Sequence, residues 1–515
     1  MTDNAQSVTL RVTDSSTFVI GKMNKDLYQE FKKTLGYKDP NAIWRGKNAK
    51  NWDGYITTVC YSQKYCRCSI KKDGVHFPTG LLSRAFDFFR AYGIPVSSID
   101  ERSEPKTNSV QISCSDEFQT RDYQEDTINK AVKQQRGIIK VATGGGKTAI
   151  GAGIIQKLCV SPFIFYVTSN DLLRQAQSEL QKFLVMNGSP LEVGMIGGGK
   201  FDIKAVNVMT VQTAVRAVGE KYKKFDDEDE EEKISEELQQ KRDAIADLIH
   251  NAKGMICDEV QHWAAETCQV LADHSVNARF RFGLSATPWR DMGDDLLIDS
   301  CFGKLINEIN ASFLIRKGIL VKPTIYFVHT KKNFDEDVAY NTVYKEGIVT
   351  NEERNVLIAN IAKNMVDNNR HVLILVRHIE HGELLESLIP NSFFVNGTHG
   401  HKARADHIDG MRKKEIPVTI ATSIFDEGVD VKPLDGLILA GSGKSQTRAL
   451  QRIGRVIRTF EDPSTGFVKK DAFIVDFYDH MKYMLSHSKA RRRIYETEPE
   501  FVIRDFKGEG HASQT

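Results

Sequence analysis

The stretch Val141-Ala142-Thr143-Gly144-Gly145-Gly146-Lys147-Thr148 decides how the chain is read, because the apolar run Ile138–Val141 leads into it and a helix-compatible run follows. Strand, glycine turn and helix, in that order, make the setting of a phosphate cradle. Glycines let the backbone wrap until several amides face phosphate oxygens, the helix N-terminus adds positive potential, and a lysine reaches the terminal phosphates. Here Thr143, Gly144, Gly145 and Gly146 form the cradle, Lys147 reaches the phosphates, and Thr148 offers its hydroxyl to Mg²⁺. The strict form of the motif has glycine where this chain has Val141. A second run, Gly441-Ser442-Gly443-Lys444-Ser445, also follows apolar residues but leads directly into an arginine-rich helix, and is read as a basic loop.

Composition limits what surrounds this loop. At 515 residues the chain is too long for one core and implies three or four domains. Hydrophobic residues at 41% and charged residues at 27% are the mix of a globular protein. No apolar run reaches the roughly 18 residues that span a bilayer, and the polar start carries no secretory core, so a cytoplasmic location is expected. The eight cysteines are then reduced thiols. Cys60, Cys66, Cys68 and Cys114 do not follow a zinc spacing, and the first three are read as alternate residues along a strand.

The net charge of +2 conceals two opposite clusters. Between Lys22 and Lys72 stand twelve basic side chains against four acidic ones, interleaved with Trp44, Trp52, Tyr55, Tyr61 and Tyr65. That mixture suits a polyanion, with cations for phosphates and rings for bases, and equally suits a small α+β domain with a solvated basic face. Asp226 to Glu232 are consecutive acids, read as an exposed insertion that continues into a helical pattern from Ile234 to Ile249.

Apolar runs and helical patterns then alternate twice over. Ile138–Val141, Phe163–Val167, Val206–Met209, Gly254–Cys257 and Phe282–Leu284 are the strands of a first parallel α/β sheet. Thr324–Val328, Val372–Val376, Phe393–Val395, Val418–Ala421, Gly436–Leu439 and Ala472–Val475 are those of a second. The expected fold class is therefore α/β, with two tandem parallel-sheet motor domains behind a small basic α+β domain. The expected boundaries are 1–100 for the basic domain, 101–112 for a linker, 113–315 for the first motor domain with its insertion near 222–245, and 316–515 for the second with its tail.

Four further motifs carry chemistry. Arg121-Asp122-Tyr123-Gln124 starts a helix ahead of the loop, and the amide of Gln124 can pair with adenine's donor and acceptor edge, Arg121 beside it. Gly254–His262 is an apolar strand ending in two carboxylates, where Asp258 holds the metal and Glu259 orients the attacking water. Ser285-Ala286-Thr287-Pro288 follows another strand and links the hydrolytic site to a nucleic-acid track through small hydroxyls. Gln451-Arg452-Ile453-Gly454-Arg455-Val456-Ile457-Arg458 is read as a helix spreading three arginines over adjacent faces. Guanidinium forks suit the charge that grows on a transferring phosphoryl group, and Arg455 and Arg458 are the expected fingers.

Taken together these motifs closely resemble the superfamily-two helicases, over roughly Arg121 to Asp476. In that family's order, motif Ia falls at Thr168–Leu173, Ib at Thr210–Thr213, V at Ala421–Asp430 and VI at Gln451–Arg458. The resemblance implies RecA-like motor domains, ATP and Mg²⁺ as cofactors, Gly428 and Asp430 near the nucleotide, Gln451 in the catalytic set, and ATP hydrolysis coupled to movement along one DNA strand. It also implies that nucleotide lies in the cleft between the two domains. One departure stands out: where the family has histidine or aspartate as the fourth residue of motif II, this chain has Gln261, with His262 next. The combination with a small basic N-terminal domain is similar to the recombination helicases of tailed phages. That likeness implies work on stalled forks, Holliday junctions and R-loops, with single-stranded, duplex and branched DNA, RNA–DNA hybrids and other replication or recombination proteins as partners. A duplex translocase that does not separate strands, and an RNA-binding scaffold with a vestigial motor, are the competing readings. The basic run Lys489–Arg493 is expected to be a solvated helix end, with contact to backbone phosphates as the alternative.

Overall fold

In the computed structural model the described residues are 7–39, 54–61, 72–104, 111–116, 118–219, 235–289, 293–422, 431–441, 443, 445–462 and 466–506. The chain divides into two compact units, Met1–Val141 with Gly146–Glu308, and Ala142–Gly145 with Ile309–Thr515.

The first unit starts with a four-stranded sheet in the order His76–Pro78, Ser16–Ile20, Val8–Val12, Val96–Asp100. Alternation along Val8–Val12 buries Val8, Leu10 and Val12 in one layer. The helices Lys25–Thr34 and Leu82–Ala91 supply Leu27, Phe31, Ala85, Phe88 and Phe89 to the same core. Phe31 is its centre, with ring centroids 5.7, 5.1 and 5.2 Å from Phe77, Phe88 and Phe89. This core also takes in Leu296, from the helix Leu296–Phe302 of the neighbouring large sheet. Arg84 pairs with Asp299 of that helix at 3.1 Å, and Gly80 packs against its backbone so closely that a Cβ would collide with the Asp299 and Ser300 carbonyls. Burial and ion pairing thus seat the N-terminal layer on the motor sheet. Linker residues 101–104 are pinned as well: Ser103 Oγ donates to Asp14 at 2.6 Å and Arg102 pairs with Asp100 at 2.6 Å.

The large sheet has eight strands ordered Lys200–Phe201, Val193–Gly197, Val206–Thr210, Phe163–Val167, Gly254–Asp258, Phe280–Ser285, Arg136–Val141, Leu305–Ile309. The central pairs are parallel. Phe163–Val167 and Val206–Thr210 are buried at every position, as strands covered on both faces require; the first is a continuous apolar run, and the second buries Asn207 and Thr210 among apolar residues. The acid run 226–232 lies outside the described residues. The helix that follows, Glu236–Asn251, sends Ile245, Leu248 and Ile249 into the core, so its second half belongs to the packed domain. Cys66 and Cys68 are likewise outside the described residues, and Cys60 is buried in a bridge to His76.

In the second unit a seven-stranded sheet runs Ser392–Val395, Val418–Ala421, Val372–Leu375, Gly436–Ile438, Asp471–His480, Lys322–Lys331, Val502–Phe506. Its pairs are parallel. The last strand corrects the reading of the C-terminal part as a tail: after the helix Met484–Glu496 the chain returns to extend the sheet edge. The basic run on that helix is corrected too. Arg491 is only 3% exposed, and its guanidinium grips Asp476, itself 0% exposed, at 2.9 Å. The helix packs on the strand Asp471–His480, and that turns one of three adjacent arginines inward.

Candidate nucleotide site

The site begins where Arg136–Val141 ends, at the C-terminal edge of its sheet, where parallel α/β folds place their ligands. Gly144 and Gly146 adopt φ of 89° and 84°, the left-handed region that strains any other residue, and the Gly145 N–H donates to the Ala142 carbonyl at 2.9 Å. A Cβ on Gly146 would strike the side-chain amide of Gln124, so glycine is required by space as well as by backbone. Gln124 is buried, and its Oε1 accepts from the Arg121 backbone N–H at 2.9 Å. The side chain thereby fixes the start of the helix Asp122–Gln134 and lies against the cradle at once.

Lys147 opens the helix Lys147–Leu158. Its ammonium lies 3.2 Å from Asp258 Oδ1 and 2.5 Å from Glu259 Oε1, the three side chains being 18, 15 and 18% exposed. Burial works against the ammonium's charge, but the two carboxylates outweigh it and raise the lysine's pKa. Burial, together with the negative charge of Glu259, raises Asp258 despite Lys147. Glu259 goes the other way: burial favours its neutral form, but the lysine charge and the amide of Gln261 hold it below the ordinary carboxylate range. Burial and the shared lysine thus act in opposite directions on two acids that are adjacent in sequence. Glu259 also sits at φ 52°, ψ 55°, an uncommon conformation for a residue with a side chain and one that turns the chain sharply out of the strand.

Gln261 continues the arrangement. Its Nε2 donates to Glu259 Oε2 at 2.8 Å, and its Oε1 accepts from Ser285 Oγ at 2.6 Å. The same Ser285 oxygen accepts from the Thr287 N–H at 3.0 Å. Motifs Ia and Ib are tied in a similar way, Gln212 Nε2 donating to the Thr168 carbonyl at 2.8 Å.

Gln451 and Arg455 lie on the helix Gln446–Val456, which Ser445 caps by accepting from the Arg448 N–H at 3.3 Å. Arg458 is not on that helix, contrary to the reading of three arginines on helical faces; it follows the Ile457 cap and forms a β-bridge with Leu320. Within this unit a Cβ on Gly454 would come 2.6 Å from Thr143 Cβ, and one on Gly144 3.6 Å from Arg458 Cγ. Gly428 and Asp430 lie outside the described residues. Sequence reasoning missed Lys469: it is buried, and its ammonium donates to the Val456 carbonyl at 2.5 Å and to the Leu434 carbonyl, closing the end of the arginine helix. Nothing in its local sequence separates it from Lys470.

The cradle and its donors fit a nucleoside triphosphate with Mg²⁺. Two left-handed glycines open the backbone, a helix N-terminus faces the turn, and the partly buried Thr148 and Asp258 are hard oxygen ligands of the kind Mg²⁺ takes beside phosphates. No helix among the described residues is long and apolar enough to cross a membrane.

With two such sheets and this set of residues, the chain resembles the superfamily-two helicases. Residues 117–290 match the res subunit of type III restriction enzymes, and residues 352–460 match the helicase conserved C-terminal domain. A putative helicase of a Sulfolobus islandicus filamentous virus is 26% identical over 68% of this chain, which spans 64% of that relative's length. The ATP-dependent DNA helicase uvsW of Enterobacteria phage T4 is 22% identical over 87% of this chain and 89% of its own. Among solved structures, a fragment of a putative HsdR subunit of a type I restriction enzyme from Vibrio vulnificus shares the fold, with a TM-score of 0.53 at 17% identity over 75% of this chain and 68% of that one.

Proposed function

We propose that the chain is an ATP-driven DNA translocase that separates or branch-migrates strands at branched DNA, such as stalled forks, Holliday junctions and R-loops. The observation that carries the motor part is the Lys147 ammonium held by two partly buried carboxylates at a strand end. Lys147 and the amides of Thr143 to Gly146 bind the phosphates, while Arg121 and Gln124 face the base. Thr148 and Asp258 hold Mg²⁺, whose chemistry when bound is to neutralise phosphate charge. Glu259 accepts the proton of the attacking water, and the family likeness proposes Gln451, Arg455 and Arg458 to stabilise the charge that develops on the transferring group, and Gly428 and Asp430 to bind the nucleotide. The basic N-terminal layer grips DNA phosphates. The branched-DNA part rests on the likeness of the motif set to phage recombination helicases.

The test is ATP turnover and strand displacement measured side by side on single-stranded, duplex, forked, four-way and RNA–DNA hybrid substrates. Turnover stimulated by DNA, with unwinding strongest on forked and four-way molecules, is expected. Lys147→Ala should abolish turnover, and Glu259→Gln should bind ATP without hydrolysing it. Normal turnover in both variants refutes the site, and movement along duplex without any strand displacement replaces the helicase with a translocase.

A further inference from the structure

The run Gly441–Ser445 has the composition of a phosphate cradle, yet it leads into the arginine helix Gln446–Val456 and its backbone is engaged within its own unit. The Gly441 N–H donates to the Leu375 carbonyl at 2.8 Å. A Cβ on Gly441 would come 2.8 Å from the Arg377 nitrogen, so the glycine lies pressed against the end of the strand Val372–Leu375. Three carbonyls here accept from side chains: Ala440 from Arg354 Nη1 at 2.9 Å, Gly441 from the Tyr344 hydroxyl at 2.6 Å, and Gly443 from Arg491 Nη1 at 2.6 Å. A phosphate cradle turns its amides to a ligand; this stretch gives its carbonyls to the protein.

The three donors come from three helices, Tyr340–Tyr344, Glu352–Asp367 and Met484–Glu496, and each is itself held. Arg354 and Asp479, whose side chains are 1 and 0% exposed, pair at 3.1 Å, and the Arg354 guanidinium lies 4.1 Å over the Phe477 ring. Arg491 grips Asp476 at 2.9 Å. Both acids stand on the strand Asp471–His480, so two of the three carbonyls are tied to one buried strand through charge-assisted bonds, which are the strong kind. Tyr344 is 3% exposed, and burial pushes its hydroxyl up to about 12, so it keeps its proton and donates throughout the physiological range. We propose that Tyr344, Arg354 and Arg491 are positioning residues: by fixing the backbone at Ala440, Gly441 and Gly443 they set the place of the helix that carries Gln451 and Arg455. This rests on the ATPase reading above, in which those two side chains stabilise the transferring group.

Tyr344→Phe removes one oxygen atom and keeps the ring; Arg491→Lys keeps the charge opposite Asp476 but has no fork to reach Gly443 as well. DNA-stimulated ATP turnover and thermal midpoints are measured for the wild type, both variants, Arg455→Lys, the pair Tyr344→Phe/Arg455→Lys, Arg492→Ala and Lys147→Ala. Tyr344→Phe and Arg491→Lys should each lower kcat by about tenfold, since misplacing a catalytic group by about 1 Å can cost about 100-fold. KM for ATP should change less than about threefold, with both variants folded at the assay temperature. Arg492→Ala, on the more exposed side of the same helix, should keep wild-type kcat. Arg455→Lys should lower kcat, and adding Tyr344→Phe should change it less than about twofold further, because the two act in series. Should Arg491→Lys not fold, Tyr344→Phe alone and in the Arg455→Lys background decides. Four results overturn the proposal while the motor reading stands, provided the wild type turns over ATP and Lys147→Ala is dead: wild-type kcat in Tyr344→Phe or in folded Arg491→Lys, a kcat loss no larger than the fraction unfolded, a matching loss in Arg492→Ala, or losses that multiply in the double variant. A wild type without turnover, or an active Lys147→Ala, overturns both.

Discussion

Arg491 and Arg492 are neighbours on one helix, yet the structure assigns their removal very different costs. Arg491 Nε and Nη2 bond Asp476 at 2.9 Å, Nη1 bonds the Gly443 carbonyl at 2.6 Å, and Nη2 also bonds the Phe477 carbonyl at 3.0 Å. Asp476 further accepts from the Tyr495 hydroxyl at 2.9 Å and from the Phe477 N–H at 2.7 Å. Burial works against the Arg491 charge, but the Asp476 charge outweighs it and raises the pKa. Arg491→Ala leaves an uncompensated, fully buried carboxylate, which costs about 3–5 kcal/mol. Arg492 pairs with Asp505 at 2.6 Å, but the two side chains are 29 and 40% exposed, so its removal should cost about 0–1 kcal/mol. For a unit of this size those losses translate into midpoint drops of about 6–20 °C for Arg491→Ala and less than about 4 °C for Arg492→Ala. Thermal and urea unfolding of both variants, with the Arg491→Ala/Asp476→Ala pair to expose non-additivity, measures the contrast. Repetition at about 1 M salt should erase the Arg492 contribution and leave that of Arg491, because screening reaches only the exposed pair. Equal, small losses in the two single variants would refute the assignment of Arg491 to a buried pair.

Two further outcomes follow from the geometry. His381 is fully buried, and burial lowers its pKa to about 3; its unfolded counterpart titrates near 6.5, so the unfolded state takes up the proton first and stability falls as pH drops from 6.5 toward 3. The loss is about 2 kcal/mol by about pH 5, and His381→Gln should flatten that limb of the stability profile; an unchanged slope would remove His381 as its source. Deletion of residues 1–100 should weaken binding to forked DNA and also lower the midpoint of the first unit, since Leu296 and Asp299 lose their cover. Unchanged fork affinity would remove the DNA-gripping role, and an unchanged midpoint would remove the docking.

Much of this protein was readable along the chain. Strands covered on both faces are predominantly apolar, so Phe163–Val167, Gly254–Asp258 and Val418–Ala421 declare themselves. A phosphate loop needs its glycines and lysine within a few residues, and an acid pair at a strand end is a local pattern, so the sequence by itself determined the paired sheets and singled out Lys147, Asp258 and Glu259 as the proposed site. Only the tertiary structure decided which groups meet. It brought Lys147 to Glu259 across 112 residues, and Gln261 to Ser285 across 24. It took Arg458 off the helix, turned Arg491 inward while leaving Arg492 outside, set Lys469 under the arginine helix, and extended the second sheet with Val502–Phe506. The physical reason is that a charge or an amide has the same local signature whether it ends in water or in a core. Its role is set by what packs over it, and those partners come from elements far away in the chain.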